Sequence, residues 1–161
     1  MKRVNIFRAI QILGMLFLFI NCKAQQHKKA PNLDEAKKAI AASNAVYFQA
    51  FAKGDSSIFI NRYAKDCWIM PPNAPALCGA DAPLQFFRTA YDKFGLRNGK
   101  FITIDVFGDG RKFVTEVGFW QSFDALHKMF DHGKFLVLWK KTPEGWKMFR
   151  DSFSSDLDQH H

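Results

Sequence analysis

The sequence predicts an α+β fold, with helices first and a long antiparallel sheet after them. Three observations carry this. Between Asn32 and Gly95 apolar residues recur at helical spacing, so that each segment has one buried stripe. From Lys100 onward they alternate, the period of a strand, and two short glycine-containing turns, Gly108-Asp109-Gly110 and Thr142-Pro143-Glu144-Gly145, divide that region into hairpins.

The first helix has Asn32 as its cap with Glu35 three residues on, a stripe of Leu33, Ala36, Ile40, Tyr47, Phe48 and Phe51, and Gly54 as its stop. Asp55 starts a short second helix, DSSIFINRYA, that sends Ile58, Phe59 and Tyr63 to the core. In CWIMPPNAPALCG a strand is cut by Pro71 and Pro72; neither can donate to a ladder, so this segment is an edge or a bend. The third helix, DAPLQFFRTAYDKFG, is capped by Asp81, carries Pro83 in its first turn, buries Leu84, Phe87 and Tyr91, and stops at Gly95. The strand KFITIDVF is expected to put Ile102, Ile104 and Val106 on one face. RKFVTEVGFWQSF runs back, and after a loose connection over 124–132 come GKFLVLWKK and a last strand, a long meander. The strand over 134–141 is apolar on both faces: Phe135, Val137 and Trp139 on one, Leu136 and Leu138 on the other. A one-sided antiparallel sheet shows polar residues on its second face. Something must therefore cover Leu136 and Leu138, either a partner subunit, giving a homodimer through the sheet, or the sheet curling on itself.

Composition narrows the class. A chain of 161 residues suits one domain, and 48% hydrophobic with 16% aromatic residues excludes disorder. Its 18 Phe exceed the needs of a thin two-layer core, which suggests an aromatic-lined interior or a buried oligomer face. The net charge of +8 resembles a nucleic-acid binder, but Lys2, Arg3, Arg8 and Lys23 supply half of it and no acid precedes Asp34. No basic stripe interleaved with aromatics remains in the body, so nucleic-acid binding is not expected. Residues 1–24 read as an export signal: a basic start, then the apolar run Ile10 to Ile20, too short to span a membrane. Its end has two readings. Cys22, in Phe19-Ile20-Asn21-Cys22, sits where a bacterial lipoprotein carries its lipid, although Asn21 replaces the usual small residue; alternatively, cleavage follows Ala24. An uncleaved anchor is the third. Residues 25–31 form a tether, 32–156 the domain and 157–161 a tail. The expected location is outside the cytoplasm, periplasmic or attached by lipid to the outer membrane of a Gram-negative cell. Cys67 and Cys78 are expected as two buried thiols, and no spacing of His and Cys suits a metal; neither metal nor cofactor is expected.

Four pieces in order, YFQAFAKGD, YAKDCWIMPPNAPALCG, GKFLVLWKK and GWKMFRDSFSSD, resemble the nuclear transport factor 2-like (NTF2-like) superfamily, in particular its SnoaL-like, DUF4440-type bacterial branch, over residues 33–156. The resemblance implies a cystatin-like cone, about three N-terminal helices packed in the concavity of a curved, mainly antiparallel sheet, with a pocket at the wide end and dimers made through the sheets. Ketosteroid isomerase, a distant relative, uses an Asp base with a Tyr and a protonated Asp as oxyanion donors. Laid on this sequence, Tyr47 takes the place of the tyrosine, but the base position is Pro71 and the acid position is Val137. Neither can do that work, so ketosteroid isomerisation is not expected.

The polar candidates that remain are Tyr47, Asp66, Glu116, His127, His132, Arg150 and Asp151. Strict alternation puts Arg150 on the pocket face with Trp146 and Met148, and Glu116 on the neighbouring stretch with Gly118 and Trp120; a bulge in either strand reverses the assignment. The alternative for Arg150 and Asp151 is a solvated pair at the sheet rim, for Tyr47 a core tyrosine, and for His127 and His132 a surface loop. The expected pocket is lined by Tyr47, Phe51, Tyr63 and Phe87, with Tyr91, Trp120, Trp139 and Arg150 completing it. The leading expectation is a small, mainly apolar ligand bound there without an assigned reaction. The second is a cyclase, isomerase or lyase acting on a carbonyl-bearing molecule, with Tyr47 as acid and Glu116 as base. The third is a pocket-less module for dimerisation or partner docking.

Overall fold

A computed structural model describes residues 32–157. The expected export signal, Cys22, the tether and residues 158–161 lie outside them. Helix α1 spans Asp34–Lys53 and buries Ala36, Ile40, Tyr47, Phe48 and Phe51. Asn32 Oδ1 accepts the Asp34 amide at 2.9 Å, and Gly54, at φ 66°, turns the chain out of the helix in a conformation that costs a side-chain-bearing residue energy. Each large apolar side chain on that stripe stabilises the fold by roughly 1.5–3 kcal/mol on burial. Helix α2 is only Ser56–Ile60, capped by Asp55, whose carboxylate accepts the Ser57 amide. It ends earlier than the sequence suggests, and Tyr63 opens strand β1 instead.

Strands β1 (Tyr63–Met70) and β2 (Leu77–Cys78) flank the proline bend; Cys67 is buried, whereas Cys78 is exposed, and both thiols are free. Helix α3 (Ala82–Arg88) runs into a wider π-helical turn, Thr89–Lys93, and stops at Gly95. Asp81 stands at its start, but its side chain makes no capping hydrogen bond. The meander follows as β3 (Asn98–Gly108), β4 (Phe113–Phe123), β5 (Met129–Thr142) and β6 (Gly145–Phe153). The expected loose connection over 124–132 shrinks to a tight turn in which Asp124 accepts the amides of Leu126 and Lys128. The sheet order is β2-β1-β6-β5-β4-β3, antiparallel throughout except where β6 returns parallel to β1. Three helices thus pack on a curved six-stranded mixed sheet, an α+β cone.

Two bulges decide which side chains face inward. Between Thr103 and Asp105 the β3/β4 register slips by one residue at Ile104, and between Met148 and Arg150 the β5/β6 register slips at Phe149. A single extra residue exchanges the faces of everything beyond it. Ile102 and Ile104 consequently lie outside, 41% and 63% exposed, while Thr103 and Val106 face in. The expectation of Ile102, Ile104 and Val106 on one face fails for that reason. Beyond Phe149 it is Asp151, not Arg150, that is buried. Leu136 stands half-exposed on the outer face opposite Val117, two residues along β4 from Phe119, whose own partner on β3 is Ile102.

Candidate functional site

A cavity of about 60 Å³ opens on the concave side between α1, α3 and the sheet, within a cleft of about 520 Å³ that includes the open mouth. That is room for roughly four to six waters, or one small organic molecule. Its walls are aromatic: Phe48 from α1, Phe86 from α3, and Phe101, Trp120, Phe135 and Phe153 from four successive strands. Its polar groups are Asn44, Tyr47, Glu116, Ser122 and Asp151, and no Lys, Arg or His among the described residues lines it.

One row of the sheet supplies the charge. Val106, Glu116, Val137, Asp151 and Ile69 are successive cross-strand partners on β3, β4, β5, β6 and β1. With strands about 4.8 Å apart, the Cα atoms of Glu116 and Asp151 stand roughly 10 Å apart with Val137 between them. The two carboxylates differ in their partners. Glu116, 1% exposed, is fully engaged: Oε1 accepts from Asn44 Nδ2 at 2.7 Å and Thr103 Oγ1 at 2.6 Å, and Oε2 from Trp139 Nε1 at 3.0 Å. Burial raises its carboxyl above the usual range, and the three donors oppose that rise. Asp151, 6% exposed, accepts one bond, from the Tyr63 hydroxyl to Oδ2 at 2.6 Å; its Oδ1 has no protein donor among the described residues. Burial first, with the Glu116 charge adding, pushes its carboxyl up to about 6 against the Tyr63 hydrogen bond. Tyr47 and Tyr63 are both driven well upward by burial and then by the Asp151 charge, so both phenols stay protonated as donors. Asn44 Oδ1 is buried without a partner among the described residues.

No protein-family model matches the sequence, and no curated protein matches it. Solved structures do. A domain of unknown function with a cystatin-like fold from Nostoc punctiforme superposes with a TM-score of 0.65 at 16% identity, over 76% of this chain and 78% of that one. The chain has the NTF2-like fold. An NTF2-like protein of unknown function from Shewanella oneidensis gives 0.62 at 19% identity, over 74% of this chain and 98% of its own. A ketosteroid isomerase-like protein from Erwinia carotovora atroseptica gives 0.61 at 20% identity, over 78% and 99%.

Within this NTF2-like cone the residues singled out in the sequence separate into three groups. Tyr47, Glu116 and Trp120 line the cavity, Tyr47 resting against the rings of Phe48, Phe59 and Phe101 at centroid distances of 4.8–4.9 Å. Tyr63 and Trp139 stand behind the lining as hydrogen-bond donors to Asp151 and Glu116. Phe51, Phe87 and Tyr91 are not part of the lining; they stack on one another between the helices, at 4.8 and 5.6 Å, with Arg97 over Tyr91. Arg150 lies on the outer face, between the rings of Trp68 and Phe149, donating to the Asp66 and Phe149 carbonyls. The Phe149 bulge puts it there, so it makes no pair with Glu116. Asp66 is paired with Lys140 on the same outer face, His132 lies beside Asp156, and His127 sits in the 124–128 turn at φ 59°. Pro71 follows β1 outside the lining. Val137, at the position the resemblance gives to the protonated acid, is apolar, but both of its cross-strand neighbours are carboxylic acids. Sequence reading undervalued Asp151 and passed over Asn44, Thr103 and Ser122. Alternation counted forward from Glu116 through Trp120 reaches Ser122, whereas Asp151 is hidden by the bulge. Among the described residues no three His, Cys, Asp or Glu group as a metal would require.

Proposed function

We propose that this NTF2-like domain is an exported binder of a small molecule that has an apolar body and one polar end. The observation that carries the reading is the cavity itself: mainly aromatic walls and one carboxylate oxygen of the lining, Asp151 Oδ1, to which no described residue donates. Apolar walls supply affinity by excluding water, and a few fixed polar groups orient the guest. The apolar outer face of β3–β5 supports a homodimer through the sheet, and residues 1–24 support export, with Cys22 as the point of lipid attachment or Ala24 as the last residue removed. The test is native mass spectrometry of the full chain, followed by solvent extraction, on wild type and Val137→Phe. A copurifying small molecule that is lost when the larger ring fills the cavity is the expected result; equal occupancy in both proteins removes the reading.

A second reading has its own support. A carboxylate that titrates near pH 6 beside protonated tyrosines is equipped for acid-base work on a carbonyl compound, the chemistry of a cyclase, isomerase or lyase. In that reading Asp151 replaces Glu116 as base, because both Glu116 oxygens are already engaged, and Tyr47 remains the donor.

A further inference from the structure

Resting on the small-molecule reading above, we propose that the guest is a protonated amine, its ammonium held at Asp151 Oδ1 and its apolar body packed among the aromatic walls. The argument is one of charge and of open valence. The lining holds two carboxylates and, among the described residues, no cation. Glu116 is satisfied by neutral donors, so the unmet demand lies at Asp151, whose side chain is more than nine-tenths buried and faces the cavity with one oxygen free among the described residues. Asn44 Oδ1, a buried acceptor of the lining without a partner among the described residues, adds to the excess of acceptors over donors there. An anionic guest would meet like charge in a low-dielectric site. A neutral carbonyl would leave Asp151 Oδ1 without a donor. An N⁺–H group supplies both charge and donor, and the faces of Phe and Trp rings attract a cation as well. The buried position of Asp151 with no counter-charge, which the protein tolerates at a cost, has a physical reason if the counter-charge arrives with the guest.

The groups around Asp151 set the pH dependence. Tyr63 and Cys67 on β1, Tyr47 on α1 and Glu116 on β4 act on it or feel it, and Arg62, just before β1, acts on the two tyrosines. The phenols stay protonated, and burial pushes the Cys67 thiol up to about 11, leaving Asp151 and Glu116 to titrate on the acid side. Protonation of Asp151 as pH falls through about 6 removes the anion, so amine affinity is full above that value and declines below it.

Calorimetry on the full chain with benzylamine, benzyl alcohol and benzoate at pH 7.5 distinguishes the cases. Benzylamine is expected to bind on the order of tenfold or more tighter than the other two. Its affinity is expected to fall about tenfold at pH 5. A fall that persists in Glu116→Gln, moved toward lower pH by the loss of the Glu116 charge, assigns it to Asp151. The preference is expected to vanish in Asp151→Asn, which keeps the shape and the Tyr63 acceptor. If benzyl alcohol or benzoate binds as well as benzylamine, the amine inference fails while the small-molecule reading stands. If none of the three binds, both fail. A pH-independent preference in the wild type overturns the role of Asp151 even where the Asn variant does not fold.

Discussion

Asp151 and Glu116 are both buried acids on one row of the sheet, and their partners give them opposite places in the stability of the molecule. The Asp151 carboxyl is held at about 6, above its ordinary 3.8, so between those two pH values the native protein keeps a proton that the unfolded chain has released. The stability linked to this group is complete below about pH 4 and is lost as pH rises through about 6. Asp151→Asn removes that loss and is expected to be more stable than wild type by about 1–3 kcal/mol at pH 8. Its advantage should shrink toward pH 4, and thermal melts at the two pH values check both parts. Glu116→Ala is expected to cost about 2–4 kcal/mol, since Asn44, Thr103 and Trp139 lose their acceptor and a void opens beside them. Denaturant titration measures it. A residue whose removal stabilises the fold is retained for something other than the fold. Of these two acids Glu116 is legible in the sequence, because strict alternation runs unbroken through most of β4. Asp151 is indistinct from Arg150 there, because their order alone does not say which one turns inward.

At the level of elements, most of the fold is legible because periodicity is a direct consequence of burial on one side. The α1 stripe, the Gly54 and Gly95 stops, the proline break and the hairpins all follow from local chemistry. What alternation does not reveal is the two bulges, since neither Ile104 nor Phe149 is a residue type that marks one. The parallel pairing of β6 with β1 joins segments more than 80 positions apart, as in the Ile69 and Asp151 pair, and no local signal encodes it. The outer position of Arg150 makes a plain prediction. Arg150→Ala loses its stacking on Trp68 and Phe149, worth about 0.5–1 kcal/mol at an exposed site, and leaves guest binding in the cavity unchanged. Melting temperature and calorimetric affinity, taken on the same preparation, separate the two effects.

For the whole molecule, the outer face of the sheet is the feature a lone subunit does not explain. Leu136, Phe119, Ile102 and Ile104 are between 41% and 63% exposed on three adjacent strands. Contiguous apolar patches of this kind mark association surfaces. Sedimentation of the full chain is expected to give a dimer. Leu136→Lys, which places a charge within that patch, is expected to give a monomer with its cavity intact; a wild type that sediments as a monomer at about ten micromolar or above, where stable dimers persist, overturns the sheet-mediated dimer. The dimer expectation rests on two-sided hydrophobicity in a single strand, which is visible in a sequence. The cavity is not, because its existence depends on how helices and sheet leave space between them.

The bulge at Phe149 has an evolutionary corollary. Loss of that one codon would join Met148 directly to Arg150, restore strict alternation along β6, and leave Arg150 opposite Leu138 and Asp151 opposite Val137, as they are now. The extra residue is thus confined to one step of the ladder, and the register beyond it is regular again. A relative lacking it would keep the acid in the cavity and prefer a guest of the same charge. Aligned without a gap from Met148 onward, that relative's aspartate would fall opposite Arg150, and the comparison would report a reversal of charge where the two sites are the same. In a scaffold of this kind, gaps belong inside strands as well as between them, and ancestry of the site is followed by cross-strand partner rather than by position in the chain.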